Sequence, residues 1–221
     1  MTPFNIQNAN QQQIDAIIDS LSSDRFTTYL DAAGRNPERA LQLYAWNARV
    51  GEAFYIPCQA VEIGLRNRIN HALIAQFGAD WWNNERFLKM ADKPRNNDLV
   101  LVQKRIENRR LPLVTGQIVA GLSFGFWAGM LQARYNPDVW SRQLRKSFPQ
   151  LPAHIDRKTL SDSILHLLEL RNRISHHEPL IRRDLLQDHS RAMQVLNWLC
   201  PTKAAWLKPY CRAPIIVREK P

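Results

Sequence analysis

The stretch Lys158-Thr159-Leu160-Ser161-Asp162-Ser163-Ile164-Leu165-His166-Leu167-Leu168-Glu169-Leu170-Arg171-Asn172-Arg173-Ile174-Ser175-His176 is the most regular in the chain. Its apolar residues Leu160, Ile164, Leu167, Leu168 and Ile174 recur at helical spacing and define one face of a helix. The same period runs outward in both directions. Ile14, Ile17, Ile18 and Leu21 predict a helix over 12–21, and Ser22, Ser23 and Asp24 cap a second over 25–33 that Gly34 ends. Asn36-Pro37 opens a long helix through Ala40, Leu41, Leu43, Tyr44 and Trp46, continuing by Phe54, Val61, Leu65, Ile69 and Leu73 to Phe77. Pro57 inside it should kink or split it. Asp80-Trp81-Trp82 reads as a turn with buried rings, 83–97 as polar with a loop at Asn96-Asn97, and 98–109 as helix. Leu113–Tyr135 reads as helix broken at Leu122-Ser123-Phe124-Gly125, followed by a short helix over 139–147 and a last long one over 183–200. The segments 1–13 and 202–221 read as peripheral, the latter extended around Pro209 and Pro214 with a weak strand signal at Ile215–Val217. The expectation is one all-α domain over 1–221, with no clear linker.

Composition narrows the function classes. Thirty Lys and Arg against twenty Asp and Glu give a formal charge of +10, which favours polyanionic partners. Eight basic residues against three acidic ones fall between Arg86 and Arg110. Within that stretch Arg95, Lys104, Arg105, Arg109 and Arg110 are candidate RNA contacts, as is Arg173 further on. Cys58, Cys200 and Cys211 form no CxxC pair, which argues against structural zinc and against a disulfide framework. No HExxH and no Gly-framed nucleophile elbow occurs, so neither a metal nor a cofactor is expected. The longest apolar run, Leu113–Leu131, is interrupted by Gln117, Ser123 and four glycines, so no membrane span is expected. With no signal segment at the N-terminus, a cytoplasmic setting is the expectation.

The segment Leu170-Arg171-Asn172-Arg173-Ile174-Ser175-His176-His177-Glu178-Pro179-Leu180 gathers cationic and polar groups where a periodic helix should simply stop. A histidine moves protons near neutral pH, and an arginine fork stabilises added negative charge on a phosphate. Together they suit attack of an RNA 2′-hydroxyl on its own phosphodiester without a metal. Arg171 and His176 fit those two roles. Five residues apart on an ideal helix, they stand ~140° apart around the axis. Loosening of the helix before Pro179, a wrapping Arg side chain, or a second copy of the site would bring them to one phosphate. Asn172 shares a face with His176. His177 is a candidate second proton carrier, Glu178 a candidate to orient His176 or His177, and Glu169 a candidate ion-pair partner for Arg171. Arg and His near a helix C-terminus also have a plain role as partners of its carbonyls and dipole.

The pattern Arg171-Asn172-x-x-x-His176 resembles the signature of HEPN domains, and within them the Abi-like (abortive infection) branch. Leu43-Tyr44-Ala45-Trp46-Asn47 resembles that family's opening helix, Ala60-Val61-Glu62-Ile63-Gly64-Leu65-Arg66-Asn67 its central helix, Gly78-Ala79-Asp80-Trp81-Trp82 its aromatic turn, and Leu122-Ser123-Phe124-Gly125-Phe126-Trp127 its "SFG" segment. The resemblance implies a HEPN-type helical bundle with additional N- and C-terminal helices. It also implies a metal-independent endoribonuclease of a phage-defence or toxin–antitoxin system, a homodimer that sets two motifs face to face, and an antitoxin or phage-derived trigger as partner. A non-catalytic RNA- or DNA-binding module is the alternative.

A second stretch, Leu65-Arg66-Asn67-Arg68-Ile69-Asn70-His71, matches Leu170–His176 at six of seven positions, 105 residues earlier. One reading makes Arg66 and His71, with Asn67, a second half-site, so that one chain carries a composite centre. The other makes Arg66 a supporting residue, with Glu62 as partner one helical turn away.

Overall fold

Caps and left-handed stops set where the helices begin and end. The computed structural model describes residues 9–21 and 23–221. Residues 1–8 of the peripheral segment expected over 1–13, the cap expected at Ser22 and the Ser23 side chain lie outside this description. Every regular element among the described residues is helical and none is a strand, so the fold is all-α.

Helix α1 (Gln11–Asp19) starts in a capping box, Asn10 Oδ1 accepting from the Gln13 amide and Gln13 Oε1 from the Asn10 amide, each at 2.9 Å. Helix α2 (Ser23–Ala32) stops at Gly34, whose φ of +63° few other residues adopt cheaply. Helix α3 (Pro37–Phe77) follows, with Asn36 Oδ1 accepting from the Arg39 amide at 3.0 Å. Helices α4 (Glu85–Met90), α5 (Lys93–Asn108), α6 (Thr115–Gly121) and α7 (Phe124–Gly129) come next, and short 3-10 and π turns cover Ala133–Ser147. The chain closes with α8 (Arg157–Ser175), α9 (Leu185–Leu199), α10 (Pro201–Leu207) and α11 (Ala213–Arg218).

Three expectations need correction. Pro57 does not split α3, which is helical from Pro37 to Phe77 with the proline buried inside it. Asn96-Asn97 is helix rather than loop. Asp92 Oδ1 caps α5 by accepting from the Arg95 amide at 3.3 Å, and the Asn96 side chain donates to the carbonyls of Leu88 and Ala91 at 3.1 and 3.4 Å. The tail is not extended. Pro201 and Pro214 occupy the first turns of α10 and α11, where a missing N–H costs nothing, and Ile215–Val217 is helical. Nor is it peripheral, because Ala213 and Ile216 are buried and the Trp46 indole donates to the Ile216 carbonyl at 2.8 Å.

The chain divides into two compact units, each discontinuous in sequence. Unit 2 comprises 57–168 and 191–208. Its core is aromatic: Trp81 meets Phe87 edge-to-face at 5.0 Å and lies 6.1 Å from both Phe126 and Trp127. The Trp81 indole donates to Asn70 Oδ1 at 2.9 Å and that of Trp82 to Thr115 Oγ at 3.0 Å. The expected aromatic turn and the Ser123–Trp127 segment therefore serve as packing in this unit. Unit 1 comprises 1–56, 169–190 and 209–221. Phe26, Tyr29, Leu43, Trp46, Val50, Phe54, Leu170, Leu180 and Ile216 are among its buried residues.

Among the described residues no helix is long and apolar enough to cross a membrane. In unit 1, Tyr29 and Tyr44 pack edge-to-face at 5.2 Å. Burial and, second, Tyr44 push the Tyr29 phenol up to about 12, against a lowering by Arg25. A phenol whose folded value lies above its unfolded one stabilises the fold fully below pH ~10 and loses that contribution as pH rises through about 12. Tyr29→Phe should therefore flatten the fall in urea midpoint between pH 10 and about 12 relative to wild type, and an unchanged slope would refute the assignment.

Candidate active site

The end of α8 is closed rather than frayed. Its last carbonyls need partners that the helix cannot supply. The His176 amide still donates to the Asn172 carbonyl at 2.9 Å, so helical register holds through His176. His177 then turns left-handed, with φ +56°. Its amide donates to Ile174 O at 3.1 Å, and the Glu178 amide reaches back to Arg173 O at 2.8 Å. This closure commonly places glycine at the left-handed position, and a residue with a β-carbon there is strained by roughly 1–2 kcal/mol. Asn47 of α3, buried, holds the loop beyond. Its Oδ1 accepts from the Leu180 amide at 2.7 Å and its Nδ2 reaches Glu178 O at 3.5 Å.

An ion-pair ladder braces the same helix end. Glu178 faces Arg173 at 3.2 Å, and Arg173 lies 3.8 Å from Glu169. Glu169 meets Arg183 at 2.8 Å, and Arg183 meets the buried Asp188 at 2.9 Å. Burial works against the Arg183 charge, but the hydrogen bond and charge of Asp188, helped by Glu169, hold its guanidinium above the usual range. Glu169 thus lies between Arg183 and Arg173, and the Glu178 carboxylate pairs with Arg173. Arg173, expected on RNA, is held between two carboxylates.

Arg171 is half-buried and its Nη1 lies 3.5 Å from Asn172 Oδ1, at the limit of a hydrogen bond. His176 is exposed. Because the helix loosens only at His177, the ~140° between Arg171 and His176 persists. That leaves a wrapping Arg171 side chain or a second copy as ways to assemble both on one phosphate. Beside this end, a cleft of about 620 Å³ is lined by Tyr29, Tyr44, Tyr55, Glu52, His177 and Glu178, with Asn47 and Ile174 in its wall. Sequence reading missed this cleft, since its tyrosines lie on α2 and α3, far from the motif in the chain.

The second motif is built differently. Arg66–His71 lies within α3 in unit 2, short of the helix end at Phe77, with no left-handed closure. Arg66 Nε stands 3.4 Å from Asn67 Oδ1, echoing Arg171 and Asn172. Asn67, Arg68 and His71 line a niche of about 300 Å³ with Cys200 and Lys203. Arg68 donates to Leu199 O at 3.0 Å and Lys203 to Ala60 O at 3.2 Å, so both serve as tethers between helices of this unit. Glu62 precedes Arg66 by one turn on the same helix.

The candidate RNA contacts separate by environment. Arg95 is an internal brace. It pairs with Asp92 at 3.1 Å, donates to Gly125 O at 3.3 Å, and its guanidinium occupies the space a β-carbon at Gly129 would need. Lys104, Arg105, Arg109 and Arg110 are exposed at the end of α5 and have no ion-pair partner among the described residues. Arg110 takes a φ of +55°, and the Leu111 amide closes that helix on Ile106 O at 3.1 Å. Among the described residues no three His, Cys, Asp or Glu side chains cluster as metal ligands would.

Two variants test these placements. Asn47→Ala leaves the buried Leu180 amide unpaired and should lower stability by ~1–3 kcal/mol, with faster hydrogen exchange at Leu180; unchanged exchange would show that the loop does not depend on Asn47. Arg95→Ala should lower stability by ~2 kcal/mol while leaving RNA affinity unchanged. A selective loss of RNA binding with the melting temperature intact would return Arg95 to the contact set.

Compared with family models, curated proteins and solved structures, the chain has no match.

Proposed function

We propose that this chain is a metal-independent endoribonuclease of the HEPN, Abi-like kind, acting in phage defence or as a toxin, with its centre at the C-terminal end of α8. The observation that carries the reading is the closed helix end. It presents exposed His176 in helical register one residue before a strained turn, with Arg171 on the preceding turn. Strain in a non-glycine residue is more common at functional sites than elsewhere.

In the proposed reaction the RNA 2′-oxygen bonds to phosphorus as its proton passes to a histidine, the bond from phosphorus to the 5′-oxygen breaks, and that oxygen takes up a proton. The products are a 2′,3′-cyclic phosphate and a 5′-hydroxyl. His176 handles the proton at the nucleophile, and Arg171 stabilises the charge gathering on the phosphate oxygens. A homodimer would supply a second Arg171 and His176 to one cleft by symmetry. RNA is the substrate, and an antitoxin or phage-derived trigger would restrain or release the activity.

A second reading, a nucleic-acid-binding module without catalysis, rests on the four exposed cations at the end of α5. End-labelled tRNA and mRNA incubated in EDTA with wild type and with His176→Ala separate the two. Cleavage by wild type with cyclic phosphate ends, reduced by a factor of 10² or more in His176→Ala, is the expected outcome. Equal cleavage by both would remove His176 from the mechanism. Binding without cleavage, lost when Arg105 and Arg109 are neutralised, would establish the second reading.

A further inference from the structure

Rings in this chain are mostly buried, yet Tyr44 and Tyr55 are 36% and 64% exposed and line one cleft together with the buried Tyr29. The volume, about 620 Å³, lies in the range of small-ligand sites. The cleft also holds two carboxylates, in a chain with ten excess positive charges. The two differ. Glu178 is paired with Arg173, whereas Glu52 has no ion-pair partner among the described residues. A phosphate would be repelled by these groups. A nucleobase would be served by them, since its faces stack on tyrosine rings and its N–H edge donates to a carboxylate, which only accepts.

The site also sits in the right place for a base. His177 and Glu178 line the cleft and directly follow His176, with consecutive Cα atoms ~3.8 Å apart. A phosphodiester at His176 therefore keeps its neighbouring base within reach of the cleft, and every residue involved belongs to unit 1.

We infer that the tyrosine cleft is a nucleobase subsite for guanine, the base stacking on Tyr55 and Tyr44 while Glu52 accepts from its edge. This rests on the ribonuclease reading for its place in a reaction and extends it to substrate choice. Guanine is selected because its ring N1–H and its 2-amino group are adjacent donors, matching the two oxygens of one carboxylate. In adenine and cytosine the amino group stands beside an acceptor nitrogen, and in uracil the ring N–H stands between two carbonyl acceptors.

Calorimetric titration of the full chain with 5′-GMP, 5′-AMP, 5′-CMP and 5′-UMP tests the assignment. GMP should bind about tenfold or more tightly than the other three. Tyr55→Ala should weaken it about tenfold, as loss of one stacking surface does, and Tyr55→Phe should preserve it. Glu52→Gln should remove the preference for GMP while weaker binding of all four persists. Both positions are exposed, and circular dichroism verifies that the variants fold. No binding of any nucleotide at millimolar concentration, equal affinity for all four, or an unchanged Tyr55→Ala would overturn the subsite. The two readings fail separately. GMP binding by a chain that leaves RNA uncut under every condition sinks the ribonuclease alone, whereas RNA cleavage without base preference and without nucleotide binding sinks the subsite alone.

Discussion

One buried amide decides what the end of α8 presents. The loop after the motif leaves the helix through a left-handed residue and would otherwise carry unpaired backbone groups. Asn47, from a helix more than a hundred residues earlier, pairs with that loop on both sides of Pro179, accepting from Leu180 and reaching the Glu178 carbonyl. A side chain with one donor group and one acceptor group can do this, and an apolar residue of the same size cannot. Once the loop is pinned, the turn at His177 is over-determined, and the positions of His176 and Glu178 follow from it.

The ladder from Glu178 to Asp188 sorts the arginines around the motif. Arg173 and Arg183 are surrounded by three carboxylates and act as internal ties. Removing Arg183 would take the ion pair at 2.9 Å from the buried Asp188 carboxylate, a cost above that of breaking a surface pair. Arg95 plays the same part in unit 2, against Asp92 and beside Gly129. Four exposed cations, Lys104, Arg105, Arg109 and Arg110, stand together where α5 ends. There they also oppose the negative pole of that helix, so dipole compensation and affinity for anions are served by the same side chains.

Much of the architecture was legible as period and punctuation. The apolar recurrence from Leu160 to Ile174, the glycine stop at Gly34 and the proline start at Pro37 each state a local rule that the fold obeys. Errors arose where one residue type supports opposite outcomes. Pro214 looked like a breaker and is a starter, as Pro201 is, because what matters is the position of the missing N–H. Asn96 and Asn97 looked like a loop, but the Asn96 side chain finds its partners on the carbonyls of Leu88 and Ala91. In the site, the motif itself was readable because its residues are contiguous. Asn47, Arg183, Tyr29 and Tyr55 were not, because their roles depend on tertiary neighbours that no local spacing encodes.

Unit 1 is assembled from three separate pieces of chain, the last of which includes the buried Ala213 and Ile216, and the Ile216 carbonyl receives the Trp46 indole. During synthesis a ribosome therefore delivers α2 and the first half of α3 long before the partners that cover them. The α8 motif emerges before α11 can close the unit around Trp46. A chain cut short before Ile216 therefore carries the motif while the Trp46 indole lacks its carbonyl partner.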